Sequence, residues 1–235
     1  MRRQLLIPGL ALPLLLTALT ACVAATDGFK PWVYQIEPAN EQIERHGNVT
    51  AQIRLEKPVF SGSEAADAVN GWLSLEQELK LAAFRDHARQ RLDDMEFNGE
   101  PVEERLYIDE EESCKIFYND GVILSIVIDK SAYFAGEPHP AIYRYAYNFD
   151  AATGKFLALE DIWGGQAREK AAREIYARIE NQGQANNYYP DLAHNLLQGL
   201  DAKCWYMDSQ NVYIVYNPYT IAPYAAGTLE FALPK

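Results

Sequence analysis

Residues 122–150, VILSIVIDKSAYFAGEPHPAIYRYAYNFD, decide the fold. Val122, Leu124, Ile126 and Ile128 share one side of the first run. Tyr143, Tyr145, Tyr147 and Phe149 share one side of the second. Alternation with period two is the pattern of a half-buried strand. Two such strands are expected to pair antiparallel across the loop Ala135 to Pro140. Their aromatic face predicts a core beneath helices, with an aromatic platform for sugar or protein as the alternative.

Working outward, Asn119-Asp120-Gly121 is a turn of residues that tolerate left-handed backbone. Before it, Val102 to Ile108 and Cys114 to Tyr118 read as strands, and Asp109-Glu110-Glu111-Glu112 reads as a solvated hairpin tip between them. Val49 to Phe60 alternates as a further strand. Ser61 and Glu64 have the spacing of a capping box. They start a helix that runs to about Met95, with Ala68, Trp72, Leu75, Leu79 and Ala82 as its first stripe. Phe84, Ala88, Leu92 and Met95 continue that stripe in a shifted phase. Downstream, Ala151 to Lys155 is a tight turn. Helices follow at Gln166 to Ile179 and Asp191 to Gly199, then strands at Val212 to Tyr216 and Thr228 to Leu233. The pattern is α+β, with antiparallel β-sheets and helices packed on one face. A tether at residues 22–45 precedes an N-terminal part, 46–134, and a C-terminal part, 135–235.

The first residues carry an export signal. Met1-Arg2-Arg3 is positive, Leu5 to Leu19 is an uncharged apolar run, and Leu19-Thr20-Ala21-Cys22 ends it. The run is too short and wrongly flanked for a spanning helix. Leu19-Thr20-Ala21-Cys22 resembles the bacterial lipobox, which implies a signal peptide at 1–21 and lipidation, including palmitate, at Cys22. An ordinary signal peptide cut after Ala21 or Ala25 is the alternative. Val23 in place of Asp implies, by the same resemblance, a lipid anchor in the outer membrane facing the periplasm.

The chain has 33 acidic and 21 basic residues, a net charge of −12. Such a balance disfavours nucleic acid and anionic surfaces and attracts basic partners in a salt-dependent way. With Cys22 lipidated, Cys114 and Cys204 remain, and in an oxidising compartment they are expected to pair as a disulfide. Two separate buried thiols are the alternative.

Three further segments look familiar together. They are Tyr133-Phe134-Ala135-Gly136-Glu137-Pro138-His139-Pro140, then Tyr147-Asn148-Phe149-Asp150 through Thr153-Gly154-Lys155 to Leu159-Glu160-Asp161-Ile162, and Tyr213 to Tyr216 followed by Tyr219-Thr220-Ile221-Ala222-Pro223-Tyr224-Ala225-Ala226-Gly227. Their order resembles the DUF3298 domain that forms the C-terminal half of RsiV-type anti-sigma factors, with a DUF4163-like companion upstream. The resemblance implies a binding domain, since those membrane proteins sense lysozyme by binding it. Here Glu137 and Pro138 stand where the family often has Gly and Ala, which stiffens the loop.

The residues themselves name no reaction. His46, His87, His139 and His194 have no metal-ligand spacing. Ser125 and Ser131 have no visible base, and Glu160 and Asp161 suit a helix start. No catalytic residue, metal or cofactor is expected. The binding candidates are Tyr133, Phe134, His139, Tyr219, Pro223 and Tyr224, rigid amphipathic residues of the kind that anchor interfaces. The expected function is a non-enzymatic envelope lipoprotein that binds a basic protein such as lysozyme, or peptidoglycan. An envelope glycan hydrolase or deacetylase, and an accessory lipoprotein without a ligand, are the other classes.

Overall fold

The computed structural model describes residues 30–99 and 107–235. The expected signal peptide, Cys22 and the segment from Val102 to Leu106 lie outside the described residues. In chain order the elements are β1 (Val33–Arg45), β2 (Asn48–Ser61), α1 (Glu64–Phe97), β3 (Ile108–Asn119), β4 (Ile123–Phe134) and β5 (Ala141–Asp150). They continue with α2 (Leu159–Trp163), α3 (Ala167–Asn181), α4 (Leu192–Gln198), β6 (Trp205–Met207), β7 (Asn211–Tyr216) and β8 (Leu229–Pro234).

Two sheets result. The first has five strands in the order β1-β2-β3-β4-β5, and the second has three in the order β6-β7-β8. All pairings are antiparallel except β2 with β3, which run parallel because α1 carries the chain across between them. The decisive hairpin forms as its alternation demands. Leu124 sits opposite Phe149, Ile126 opposite Tyr147 and Ile128 opposite Tyr145. This face packs under the first half of α1, where Val69 and Leu73 meet Leu124, Ile126, Tyr147 and Phe149. The face is therefore core from Tyr145 to Phe149, whereas Val122 and Tyr143 at its margins, expected on the buried face, are exposed. The opposite face of the same hairpin receives the second sheet. Ser125, Val127 and Ala146 are small enough for β6 to approach, and the Asn148 amide donates to the Trp205 carbonyl at 2.7 Å. The far side of the second sheet is covered by α3 and α4, through Ala171, Ile175, Ile179 and Leu196 against Trp205, Met207 and Ile214. The α+β class holds, with one helical layer on the outer face of each sheet.

Several expectations need correction. The tether at 22–45 gives way to a strand, because β1 pairs with β2 from Val33 to Arg45. Its first half, Val33 to Pro38, is exposed on both faces, and only Ala39 and Ile43 in the second half pack against the core under α1, so its apolar alternation is weak. Pro38 is tolerated because β1 is an edge strand. His46 and Gly47, with φ of 53° and 81°, make the hairpin turn between the two strands. The boundary at 134/135 falls between β4 and β5, which share one sheet. Ser63 rather than Ser61 caps α1, accepting from the Ala66 N–H at 3.1 Å. Ser61 is still strand, opposite Val33.

The acidic run is not a hairpin tip either. Asp109 to Glu112 lie inside β3, with β2 on one side and β4 on the other. Glu110 and Glu112 are buried. Lys130 Nζ donates to Glu110 at 2.8 Å, and Lys80 of α1 pairs with Glu112. Arg54 holds Asp109 and Glu111 on the other face at 3.0 and 2.8 Å. Lys80 also donates to the Tyr145 hydroxyl, and the Tyr147 hydroxyl donates to Glu76 at 2.9 Å. The middle of α1 thus turns charge inward. That explains why Leu75 and Leu79, expected in the buried stripe, are 54% and 57% exposed.

The expected disulfide is absent. Cys114 and Cys204 are free thiols. Cys114 packs with the core beneath α1, whereas Cys204 belongs to the core beneath α3 and α4. The sheet that carries one separates it from the other. Burial pushes both thiols up to about 12.

Candidate functional site

One of the three resembling segments, Tyr147 to Ile162, is a set of structural devices. Asp150 accepts from the Thr153 N–H and the Thr153 hydroxyl, each at 2.8 Å, and so closes the turn after β5. Gly154 has a φ of +70°, and a Cβ there would lie 2.7 Å from the Ala65 carbonyl in the first turn of α1. Asp161 reaches back to accept from the Ala158 N–H at 2.7 Å, which is the helix-start role expected for it.

The remaining segments supply two loops. The first, residues 135–140, leaves β4 through a turn in which the Glu137 N–H donates to the Phe134 carbonyl at 3.0 Å. The second, residues 217–227, follows β7 and is pinned at several points. The Tyr216 hydroxyl is buried and donates to the Leu196 carbonyl of α4 at 2.8 Å. Asn217 acts as a substitute strand for β5. It accepts from the Arg144 N–H at 2.6 Å and donates to the Arg144 carbonyl at 3.0 Å. Ile221 and Ala222 are buried, and the Ile221 carbonyl accepts from the Tyr189 N–H at 2.9 Å. Gly199 ends α4 as expected, and the reason it must be Gly is contact. A Cβ there would come within 2.5 Å of the Thr220 methyl.

These constraints bring His139, Tyr219 and Tyr224 together. The His139 and Tyr224 rings stack with centroids 3.6 Å apart and 16° between planes. The Tyr224 hydroxyl donates to the Pro140 carbonyl at 2.7 Å, and His139 Nδ1 lies 3.1 Å from the same oxygen. That oxygen can only accept, so Nδ1 carries the proton in the neutral ring. Nε2 then accepts from the Tyr219 hydroxyl at 3.3 Å. Both nitrogens and one face of His139 are thereby engaged, which suits a fixed recognition surface better than a proton shuttle. Tyr219 itself has φ +68°, left-handed backbone for a bulky residue, and is 58% exposed. Such strain costs of the order of 1–3 kcal/mol and persists where the surroundings over-determine it. Here it aims an aromatic ring at solvent. Pro223 is exposed beside Tyr224.

The other candidates lie elsewhere. Tyr133 is exposed on β4, opposite Asp109. Phe134 is packed with the second half of α1, its ring 5.2 Å from that of His87. Neither is in contact with the cluster. The histidines are spread out, with His46 in a turn near Glu96, His87 on α1 and His194 on α4. Two residues were missed from the sequence, Asn217 and Arg144. Arg144 grips Asp129 through Nε and Nη2, at 2.7 and 3.0 Å, and reaches Glu230 of β8 at 3.2 Å. Hydrogen bonding to Asp129 pushes its guanidinium further up. Tyr206 joins Glu230 from below, and burial followed by that carboxylate pushes its phenol up. A groove of about 340 Å³ runs past these groups, lined by Asp129, Tyr143, Arg144 and Thr228. The Asn217-Pro218 dipeptide after a strand was the available signal for a turn. Nothing in the sequence pairs it with residue 144.

Residues 160–235 match the family model described as a protein of unknown function (DUF3298). The crystal structure of a DUF3298-family member from Bacteroides fragilis NCTC 9343 superposes with a TM-score of 0.63 at 14% identity, over 88% of this chain and 92% of that one. A DUF3298-family protein from Pseudomonas aeruginosa PAO1 superposes with a TM-score of 0.55 at 17% identity, over 87% and 91%. At these identities the likeness is one of fold. No curated protein matches the chain.

Proposed function

We propose that the chain is a membrane-anchored binding protein of the cell envelope, without enzymatic activity, whose partner is a basic protein of the lysozyme class. The observation that carries this reading is the cluster of His139, Tyr219 and Tyr224, assembled from two loops across 80 residues and exposed at a strained backbone position. Interfaces concentrate their energy in a few rigid aromatic residues held on a stiff scaffold. Asn217, Gly199 and the Pro138–Pro140 pair supply that stiffness. The net charge of −12 steers a cationic partner at long range. The resemblance to RsiV-type domains, with a DUF4163-like N-terminal part, supplies the lysozyme class. Lipidation at Cys22 supplies the anchor, placed in the outer membrane and facing the periplasm. No helix among the described residues is long and apolar enough to cross a membrane.

The test is titration of the soluble domain, starting after Cys22, with a c-type lysozyme at low and at moderate salt. Saturable binding is expected at low salt, weakened as salt rises. Replacing Tyr219 and Tyr224 together by Ala removes about 2 kcal/mol or more, roughly thirtyfold in affinity. Absence of binding under both conditions would refute the lysozyme reading. Palmitate labelling that disappears in Cys22→Ser tests the anchor separately.

A further inference from the structure

A second surface lies away from the aromatic cluster, between the end of α3 and the start of α4. The chain turns there through a short 3₁₀ segment, Ala185–Asn187, and an extended stretch to Pro190. The result is an open cleft of about 940 Å³. Three tyrosines, Tyr176, Tyr188 and Tyr189, line it. Tyr188 is anchored against the core beneath α3 and α4, while Tyr176 is exposed. The Tyr176 phenol lies beside Glu180, whose charge and hydrogen bond push it up.

Three exposed polar side chains of the cleft are uncommitted. Among the described residues no hydrogen bond or ion pair engages the side chains of Asn186, Asp191 or His194. Asp191 stands at the start of α4, where a carboxylate would ordinarily cap the helix. Its backbone is instead left-handed, φ 59°, and its side chain makes no capping bond. The walls are preformed by two main-chain bonds and one from the Asn195 side chain. Tyr188 N–H donates to the Ala185 carbonyl at 3.2 Å, Tyr189 N–H to Ile221 at 2.9 Å, and the Asn195 amide to Pro190 at 2.8 Å.

We propose that this cleft binds an uncharged oligosaccharide. The chemistry selects that class. Sugar rings present apolar C–H faces that lie on tyrosine rings and hydroxyls that both donate and accept. Asn186, Asp191 and His194 offer the matching amide, carboxylate and imidazole. The volume is at the upper end of small-ligand sites, enough for several linked rings. An anionic ligand is disfavoured by Glu180 and Asp191. A peptide bound by strand addition would need a free strand edge to pair with, and the cleft is walled by helices and turns. This inference goes beyond the protein partner proposed above and does not rest on it.

The experiment is calorimetric titration of the soluble domain with chitotetraose and with cellotetraose. Saturable binding of at least one is expected, with a dissociation constant of about 1 mM or tighter. Tyr176→Ala combined with Asn186→Ala alters two exposed side chains and is expected to weaken it at least tenfold. Tyr219→Ala, in the other surface, is expected to leave it unchanged. Absence of saturable binding by both sugars overturns the proposal. So does binding that survives the Tyr176 and Asn186 changes, or that is lost on changing Tyr219. Lysozyme binding is read separately, so either proposal can fail while the other stands.

Discussion

The two helical layers of this protein meet their sheets in opposite ways. Beneath α3 the interface is apolar throughout, with Ala171, Ala172, Ile175 and Ile179 set against Trp205, Ile214 and Leu196. Beneath the middle of α1 it is charged, with Lys80 against Glu112 and Tyr145, and Glu76 against Tyr147 and Lys203. The apolar interface supports the loop 217–227 of the aromatic cluster, through Tyr216 and Ile221. The charged interface stitches α1 to the sheet and, through Lys203, to the segment leading into β6. Apolar packing stabilises by area and tolerates no cavities. Buried ion pairs contribute little net stability, yet penalise the loss of one partner.

The thiols give the largest expected contrast with the unfolded chain. Cys114 lies in the charged interface and Cys204 in the apolar one, and burial raises both to about 12 from an ordinary 9.0. The thiolate is the reacting species. Alkylation at pH 8 in a Cys22→Ser background is therefore expected to slow by about a thousandfold relative to denatured protein, with two thiols reacting after denaturation. A disulfide, seen as no free thiol in denaturant without reductant, would contradict the separation of the two cores.

Truncations come next. Ile175→Ala is expected to cost about 3–4 kcal/mol in chemical denaturation, because the site is fully enclosed. Lys80→Met leaves Glu112, which is only 5% exposed, with Lys130 at 3.9 Å, and is expected to cost about 2 kcal/mol, since Lys80 keeps some contact with water. Adding Glu112→Leu to Lys80→Met is expected to recover most of that loss. If the double variant were as unstable as the single one, the account of the charged interface would be wrong.

The smallest effect has the opposite sign. Tyr219→Gly relieves left-handed strain while adding freedom to the unfolded chain, so stability is expected to be unchanged or to rise by up to about 1 kcal/mol. Lysozyme binding is expected to weaken in the same variant. A clear loss of stability would show that Tyr219 serves the fold instead.

The same contrast explains what could be read from the sequence. The hairpin from Val122 to Asp150 and the helices α3 and α4 were legible because their buried faces are apolar at the right period. In α1 the inward face carries Glu76 and Lys80, so periodicity selected Leu75 and Leu79, which face solvent. The run from Asp109 to Glu112 read as solvated because its counter-charges, Arg54, Lys80 and Lys130, come from distant elements. Edge strand β1 turns only Ala39 and Ile43 toward the core, too short an apolar alternation to betray it. At the candidate site His139, Tyr219 and Tyr224 were legible as rigid aromatic loop residues, and the structure does bring them together. The clamp by Asn217 on Arg144 was not, since a side chain standing in for a strand has no local pattern.

Hydrogen exchange of the soluble domain with and without lysozyme tests the central claim most directly. Protection gained at residues 135–140 and 217–227, with the face of α1 left as it was, is the result that fits. Saturating lysozyme that leaves both loops unprotected, or protects α1 in their place, would contradict it.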